Sequence, residues 1–410
     1  MSNMNVNGQR LKETFEYLGQ FGATPTGGIT RPALSDADKQ ARDTFVGWLK
    51  EAGLTVRIDD AGNIYGHRPG SDDSAPPILM ASHLDTVYGG GRFDGITGVQ
   101  SALEVIRTLN DNNVVTKRPV EIGVFTNEEG TRFEPALLGS GIATGVFKKE
   151  DVYQTADRDG LLFGEELERI GYKGEEKNRP GKLDTYFEMH IEQGPVLDNE
   201  NLQIGVLTGI QGMIWLDAEV TGEPDHAGPS PMETRKDAMV GAVKIMREVD
   251  KIAYEVGHGT TTTIGKIHAE PACINVIPGK VTFSIDVRNE KDELMYEVIE
   301  KIKERAQNIC SESGLGFHME KFWGTDAIAF PKELVDMLEG FAKERGYSYK
   351  RMASGAGHDA SYLSAVAPTA MIFVPSIGGK SHCEEEYTKY EDIERGANLL
   401  LDMVIARANR

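Results

Sequence analysis

Near residues 209 and 325 the hydrophobic patterning of this sequence changes order, and that change divides the chain. Outside these points helical and strand patterns alternate. "SDADKQARDTFVGWLKEAG" and "KELVDMLEGFAKERG" carry the apolar spacing of amphipathic helices, and Ser35 is placed to cap the first. "PPILMAS", "RPVEIGVFTN" and "PTAMIFVPS" are short apolar runs of the kind found in sheets buried on both faces. Such alternation predicts an α/β domain with a parallel or mixed sheet flanked by helices. Between the two points the order is strand "IWLDAEVTG", helix "METRKDAMVGAVKIMREVDKIAYEVG", strand "TTTTIGKIHAE", strand "GKVTFSIDVR", helix "KDELMYEVIEKIKERAQNICSESG" and strand "GFHMEKF". This is βαββαβ, the ferredoxin-like arrangement. The expected organisation is a main domain of residues 1–208 and 326–410 with residues 209–325 inserted as a smaller domain. A length of 410 residues, large for one core, agrees with two domains. A small sheet with both helices on one face leaves an edge and a flank free, so pairing with a second copy, a homodimer, is expected.

Charge and composition exclude several classes of function. A net charge of -20 with no basic stripe argues against a nucleic-acid partner. No apolar run reaches the roughly 18 residues that crossing a bilayer takes, so no membrane partner is expected. The start "MSNMNVNGQR" lacks the apolar core of a signal peptide. Cys273, Cys310 and Cys383 are too few and too scattered for a disulfide framework or a thiolate zinc site. A cytoplasmic location and a small-molecule partner are the expectations.

The chemistry gathers where apolar strands end. "ASHLDTVYGGGRFDGITG" follows the run "PPILM" and carries His83, Asp85 and Asp94 among glycines. His83 and Asp85, two residues apart in extended chain, face the same way. Four other segments have the same character: "VFTNEEGTRF" with Glu128 and Glu129, "YFEMHIEQGP" with His190 and Gln193, "SGAGHDAS" with His358 and Asp359, and "IGGKSHCEEEYT" with His382. One such histidine is ordinarily structural, and one Glu-Glu pair ordinarily a solvated turn. Their coincidence behind successive strand patterns points instead to a hydrolytic site for Zn, Mn, Co or Ni, built from imidazole and carboxylate donors.

These residues also carry a family resemblance. "SHLDTVYGGGRFDG", "NEEGTRF", "HIEQGPVL", "DHAGPSPM", "NVIPGKVTFSIDVR", "SGAGHDA" and "FVPSIGGKSHCEEEYT" resemble, in order, the signature segments of the amidase, hydantoinase and carbamoylase branch of the M20 dinuclear metallopeptidases. The resemblance implies a zinc-peptidase-like catalytic domain with a mixed sheet and an inserted lid and dimerisation domain. It implies two divalent metal ions per subunit, with His83 and His190 holding one, Glu129 and His382 the other, and Asp94 bridging them. It makes Glu128 the general base and Asp85 the residue that orients an imidazole ligand. It gives His226 the role of stabilising the oxyanion from the partner subunit, Asn275 and Arg288 the substrate carboxylate, and Gln193 the carbamoyl group. The glycines of "SGAGHDA", Gly355 among them, suggest backbone contact with substrate, while His358 stays outside the metal set.

Alternative assignments are a turn histidine at position 226 capping the helix behind it, and a surface arginine at 288 paired with Asp286 or Glu290. The resemblance departs from the family pattern after His382, where Cys-Glu-Glu-Glu replaces Ser-Pro or Asn-Pro. The implied activity is metal-dependent hydrolysis of N-carbamoyl-L-amino acids. Other readings of the same site are allantoate or N-carbamoyl-β-alanine hydrolysis, then a dipeptidase or N-acyl amino acid deacylase, which His190 disfavours. Outside enzymes, the alternative is a silent relative that binds a ureido ligand or metal.

Overall fold

The structure, a computed structural model, describes residues 4–410. The chain forms two compact units, one of residues up to Thr208 together with Phe330–Arg410, the other Gly209–Ala329.

The first unit is a mixed α/β domain. Its sheet runs in the order Thr55–Ile58, Ile64–Arg68, Val120–Phe125, Ile78–His83, Thr185–Ile191, Thr369–Val374, Ile204–Ile210. The four strands from Val120–Phe125 to Thr369–Val374 are parallel, and the flanking pairs are antiparallel. Every residue of those four strands is buried. That burial on both faces is why the sequence shows continuous apolar runs there rather than alternation. The helix Ile96–Asp111 packs on the sheet and is buried on almost all sides. Asp36–Glu51 begins where expected, with the Ser35 hydroxyl accepting the Asp38 N–H at 3.2 Å.

Parallel strands bring their carboxyl ends to one edge, where open α/β sheets keep their ligands. Here the edge receives His83, the Asn127–Glu129 turn, His190 to Gln193, and the loop that follows Val374 and carries His382.

The second unit is an antiparallel sheet in the order Ile267–Glu270, Lys280–Asn289, Gly212–Thr221, Gly316–Thr325, with Thr261–Thr263 also paired to Lys280–Asn289. The helices Ala238–Val256 and Asp292–Ser313 pack together and against it. Burial alternates residue by residue along Lys280–Asn289. Val281, Phe283, Ile285 and Val287 enter the core, while Asp286 and Arg288 do not.

Two element boundaries differ from the sequence reading. The helix expected from Met232 starts at Ala238, because the Asp237 carboxylate accepts the N–H groups of Met239 and Val240 at 2.9 and 3.2 Å, a cap that cannot sit inside a helix. The strand expected through "TTTTIGKIHAE" is two short strands separated around Gly265. Among the described residues no helix is long and apolar enough to cross a membrane.

Candidate metal centre

His83 is the last residue of its strand, and its Nδ1–H donates to the Asp85 backbone carbonyl at 2.9 Å. His190 does the same to the Ile191 carbonyl, also at 2.9 Å. A carbonyl can only accept, so each ring carries a proton on Nδ1, and Nε2 is the atom that offers a lone pair once the ring is neutral. Both Nε2 atoms face Asp94 Oδ1, at 3.6 Å for His83 and 3.1 Å for His190. The other oxygen of Asp94, Oδ2, lies 3.3 Å from His382 Nε2, which is in turn 3.4 Å from Glu129 Oε2. The five side chains thus form two groups able to hold an ion, His83–Asp94–His190 and Asp94–Glu129–His382, with Asp94 in both.

Local backbone makes this approach possible. Gly95 has φ +67°, and a Cβ there would fall 2.3 Å from the His83 ring. Asn127, Gln193 and His382 have φ of +57°, +58° and +55°, unusual for residues with a side chain. Each follows one of the parallel strands, where the chain turns sharply to aim what it carries.

The electrostatics fit divalent cations. His83 Nε2 and Glu129 Oε1 are buried without a hydrogen-bond partner among the described residues. Burial pushes Glu129 well above the usual carboxylate range, and Asp94's charge adds to it. Glu128 is also raised well above that range by burial, with Asp359 and Glu129 contributing. Burial lowers His83 to about 4. Burial also works against a charged His190, but Asp94's charge and hydrogen bond outweigh it and raise the ring to about 9. Imidazole and carboxylate donors suit Zn, Mn, Co or Ni, and a cation in their midst replaces the protons these carboxylates otherwise retain.

Glu128 belongs to neither group, yet its Oε2 stands 3.4 Å from His83 Nε2. Asp85 does hold an imidazole, through its main chain. Its backbone carbonyl holds His83, while Oδ1 and Oδ2 accept the N–H groups of Glu128 and Glu129, each at 3.3 Å. One residue therefore ties the ends of two neighbouring strands. Gln193 Nε2 donates to Asp94 Oδ2 at 2.7 Å, and its buried Oε1 has no partner among the described residues.

Gly355 lies in the same unit, directly after the strand Tyr349–Ser354. His226, Asn275 and Arg288 belong to the second unit. His226 pairs across a short ribbon with Val276, and the Ala227 N–H donates to the Asn275 carbonyl at 3.0 Å, so the two candidates are neighbours. The helix-capping alternative for His226 does not hold, since Asp237 is the cap and His226 Nδ1 accepts the Gly228 N–H at 3.0 Å. The Arg288 fork donates to Asp286, Nη2 to Oδ2 at 2.8 Å, as its surface alternative anticipated.

Three further groups had no role in the sequence reading. Glu188 is buried behind His190, accepting from Tyr186 Oη at 2.9 Å, Ala360 N at 3.0 Å and Ser82 Oγ at 3.0 Å. His358, seen but left unassigned, is buried with its ring 4.5 Å from that of His190. Glu386 sits under Asp94, its Oε1 accepting the Asp94 N–H at 3.1 Å. Glu188 was findable by spacing, since it lies two residues before His190 on the same strand face.

Comparison with known proteins places this geometry. Residues 79–406 match the Peptidase family M20/M25/M40, and the chain belongs to that family. An N-carbamoyl-L-amino-acid amidohydrolase from Rhizobium meliloti is 41% identical, with the match covering 99% of this chain and 98% of its own. An allantoate amidohydrolase from Bacillus subtilis is 32% identical over 96% of each chain. The crystal structure of an amidase of the hydantoinase/carbamoylase family from Burkholderia multivorans superposes with a TM-score of 0.95, 42% identity and full coverage of both chains.

Proposed function

We propose that this chain hydrolyses the carbamoyl C–N bond of N-carbamoyl-L-amino acids, releasing amino acid, ammonia and carbon dioxide. The observation that carries the reading is Glu128, buried beside the ligand cluster but outside it, in a chain 41% identical to a named N-carbamoyl-L-amino-acid amidohydrolase. His83 and His190 would hold one divalent ion, Glu129 and His382 a second, and Asp94 both. Bound there, such ions supply Lewis acidity toward the ureido carbonyl and lower the pKa of water.

The chain's own residues do the rest. Glu128 takes a proton from the attacking water and returns it to the leaving nitrogen, a role suited to a carboxyl raised by burial. Asp85 fixes the turn that separates Glu128 from Glu129, so that one glutamate binds metal while the other moves protons. The unpartnered Oε1 of Gln193 accepts an N–H of the carbamoyl group. Gly355 offers backbone contact to the substrate. From the second unit, Arg288 and Asn275 take the substrate carboxylate, and His226 stabilises the oxyanion in the partner copy's site.

The strand order of the second unit supports its reading as ferredoxin-like, and its proposed roles are those of a lid and dimerisation domain. The three unpaired cysteines suit a cytoplasmic setting. The test is to supply metal-loaded protein with N-carbamoyl-L-methionine, N-carbamoyl-β-alanine, allantoate and a dipeptide, and to measure the ammonia and amine released. Release from the first alone supports the reading. Preference for allantoate would move the assignment to the second named relative's reaction.

A further inference from the structure

Three of the proposed ligands, Asp94, Glu129 and His382, stand on loops rather than on strands or helices; the Asp85 carboxylate holds the backbone of Glu129, which leaves Asp94 and His382. A ligand on a loop keeps its position only if something outside it fixes the backbone. Glu386 does this for both. It is 4% exposed and is the last of three consecutive glutamates that follow Cys383. Its Oε1 accepts the N–H groups of Phe93 and Asp94 at 2.9 and 3.1 Å. Its Oε2 accepts the hydroxyl of Ser381, the residue before His382, at 2.9 Å. Ser381 Oγ also lies 3.0 Å from Asp94 Oδ2, so its single proton serves one carboxylate at a time and the residue stands between Glu386 and the carboxylate of Asp94. Gly91 keeps the space open, since a Cβ there would fall 2.0 Å from Glu386 Oε1. Glu386 belongs to none of the groups able to hold an ion, so its work is on the loops and not on the metal.

We infer that Glu386 is a positioning residue that locks the Asp94 and His382 loops at one spacing and thereby sets the affinity of the Glu129–His382 ion far more than that of the His83–His190 ion. Asp94 reaches the second group through Oδ2, the oxygen beside Ser381, and His382 serves that group alone. The inference rests on the metal-centre reading.

The experiment titrates metal-stripped full-length protein with Mn²⁺, following heat and bound metal, for wild type, Glu386→Ala, Glu386→Gln and Ser381→Ala. Outer partners of metal ligands typically govern affinity by about 10- to 100-fold. Glu386→Ala should weaken one ion by that factor and leave the other within about threefold, while metal-free melting stays near wild type. Glu386→Gln keeps an oxygen for the Phe93 and Asp94 amides and should fall between, with Ser381→Ala the mildest. In a His382→Ala background Glu386→Ala should add nothing; in a His83→Ala background it should keep its full effect. Equal weakening of both ions, no weakening of either, or a loss that Ser381→Ala does not share would overturn the inference. A wild type that binds no divalent ion would instead overturn the reading of the cluster as a metal centre.

Discussion

The two units bury their sheets in opposite ways, and this decides where each can carry chemistry. In the first, the central strands are covered on both faces, so polar side chains reach open space only at strand ends and in the loops beyond. Functional residues are thus concentrated where an apolar run stops. In the second, burial alternates along the two central strands, so a functional side chain occupies a position that any solvated polar residue could occupy. Arg288 pairs with Asp286 there and looks like hundreds of surface ion pairs. A strand-end site announces itself, whereas a mid-strand one does not.

The contrast predicts unequal losses. Glu128→Gln removes proton transfer without removing a ligand, and turnover should fall by about 10²- to 10⁴-fold while bound metal stays at the wild-type level. A variant within twofold of wild type would mean that the strand-end glutamate is structural. Arg288→Ala should lower kcat/KM by about tenfold or more, as expected for loss of a charged hydrogen-bonded partner, with metal content unchanged. Arg288→Lys should recover part, because a point charge cannot form two parallel bonds to a carboxylate. Equal hydrolysis of the substrate and its carboxamide analogue by wild type would reduce Arg288 to the ion pair it makes with Asp286.

Mixing inactive Glu128→Gln and inactive His226→Ala subunits should restore activity, since one site of the hybrid then holds both groups intact. Absence of recovery after demonstrated subunit exchange would place His226 outside the partner's reaction. The smallest effect is on melting. His190, raised to about 9, contributes stability that is complete below its unfolded value of about 6.5 and is lost as pH rises through 9. Asp85, raised to about 7 by burial and by Asp38's charge, likewise stabilises the fold less as pH rises through 7. Metal-free protein should therefore melt lower at pH 9 than at pH 6.5. The increment in Tm on adding Mn²⁺ should grow over the same window, because the ion replaces protons that the site otherwise needs. A constant increment would dissociate these groups from metal binding.

The legibility of the sequence follows the same division. Helix starts with a local signal, such as Ser35, were readable, because a cap is a contact between residues three apart. His83, Asp94, Glu129, His190 and His382 were candidates because their segments follow apolar runs, the family resemblance singled them out as ligands, and the structure brings them together in two groups that share Asp94. Which atom of Asp85 holds the imidazole was not readable, since residue type and spacing cannot distinguish a contact made by its carbonyl from one made by its carboxylate. Glu386 was hidden in a run of three glutamates, only one of which turns inward. The same blindness moved the helix start from Met232 to Ala238, where Asp237 competed successfully with a longer helix.

The left-handed backbone at Asn127, Gln193 and His382 separates two kinds of selection. Glycine at any of the three would relax the chain, since a residue without Cβ adopts positive φ freely. A library of variants screened for heat resistance alone should therefore drift toward glycine at these positions and lose the His382 ligand, the Gln193 substrate contact or the Asn127 bond to the Phe133 carbonyl that shapes the turn before Glu128. A library screened for turnover should hold them against that drift. The divergence of the two populations at three strand exits would trace the outline of the site without any substrate, inhibitor or metal being assayed.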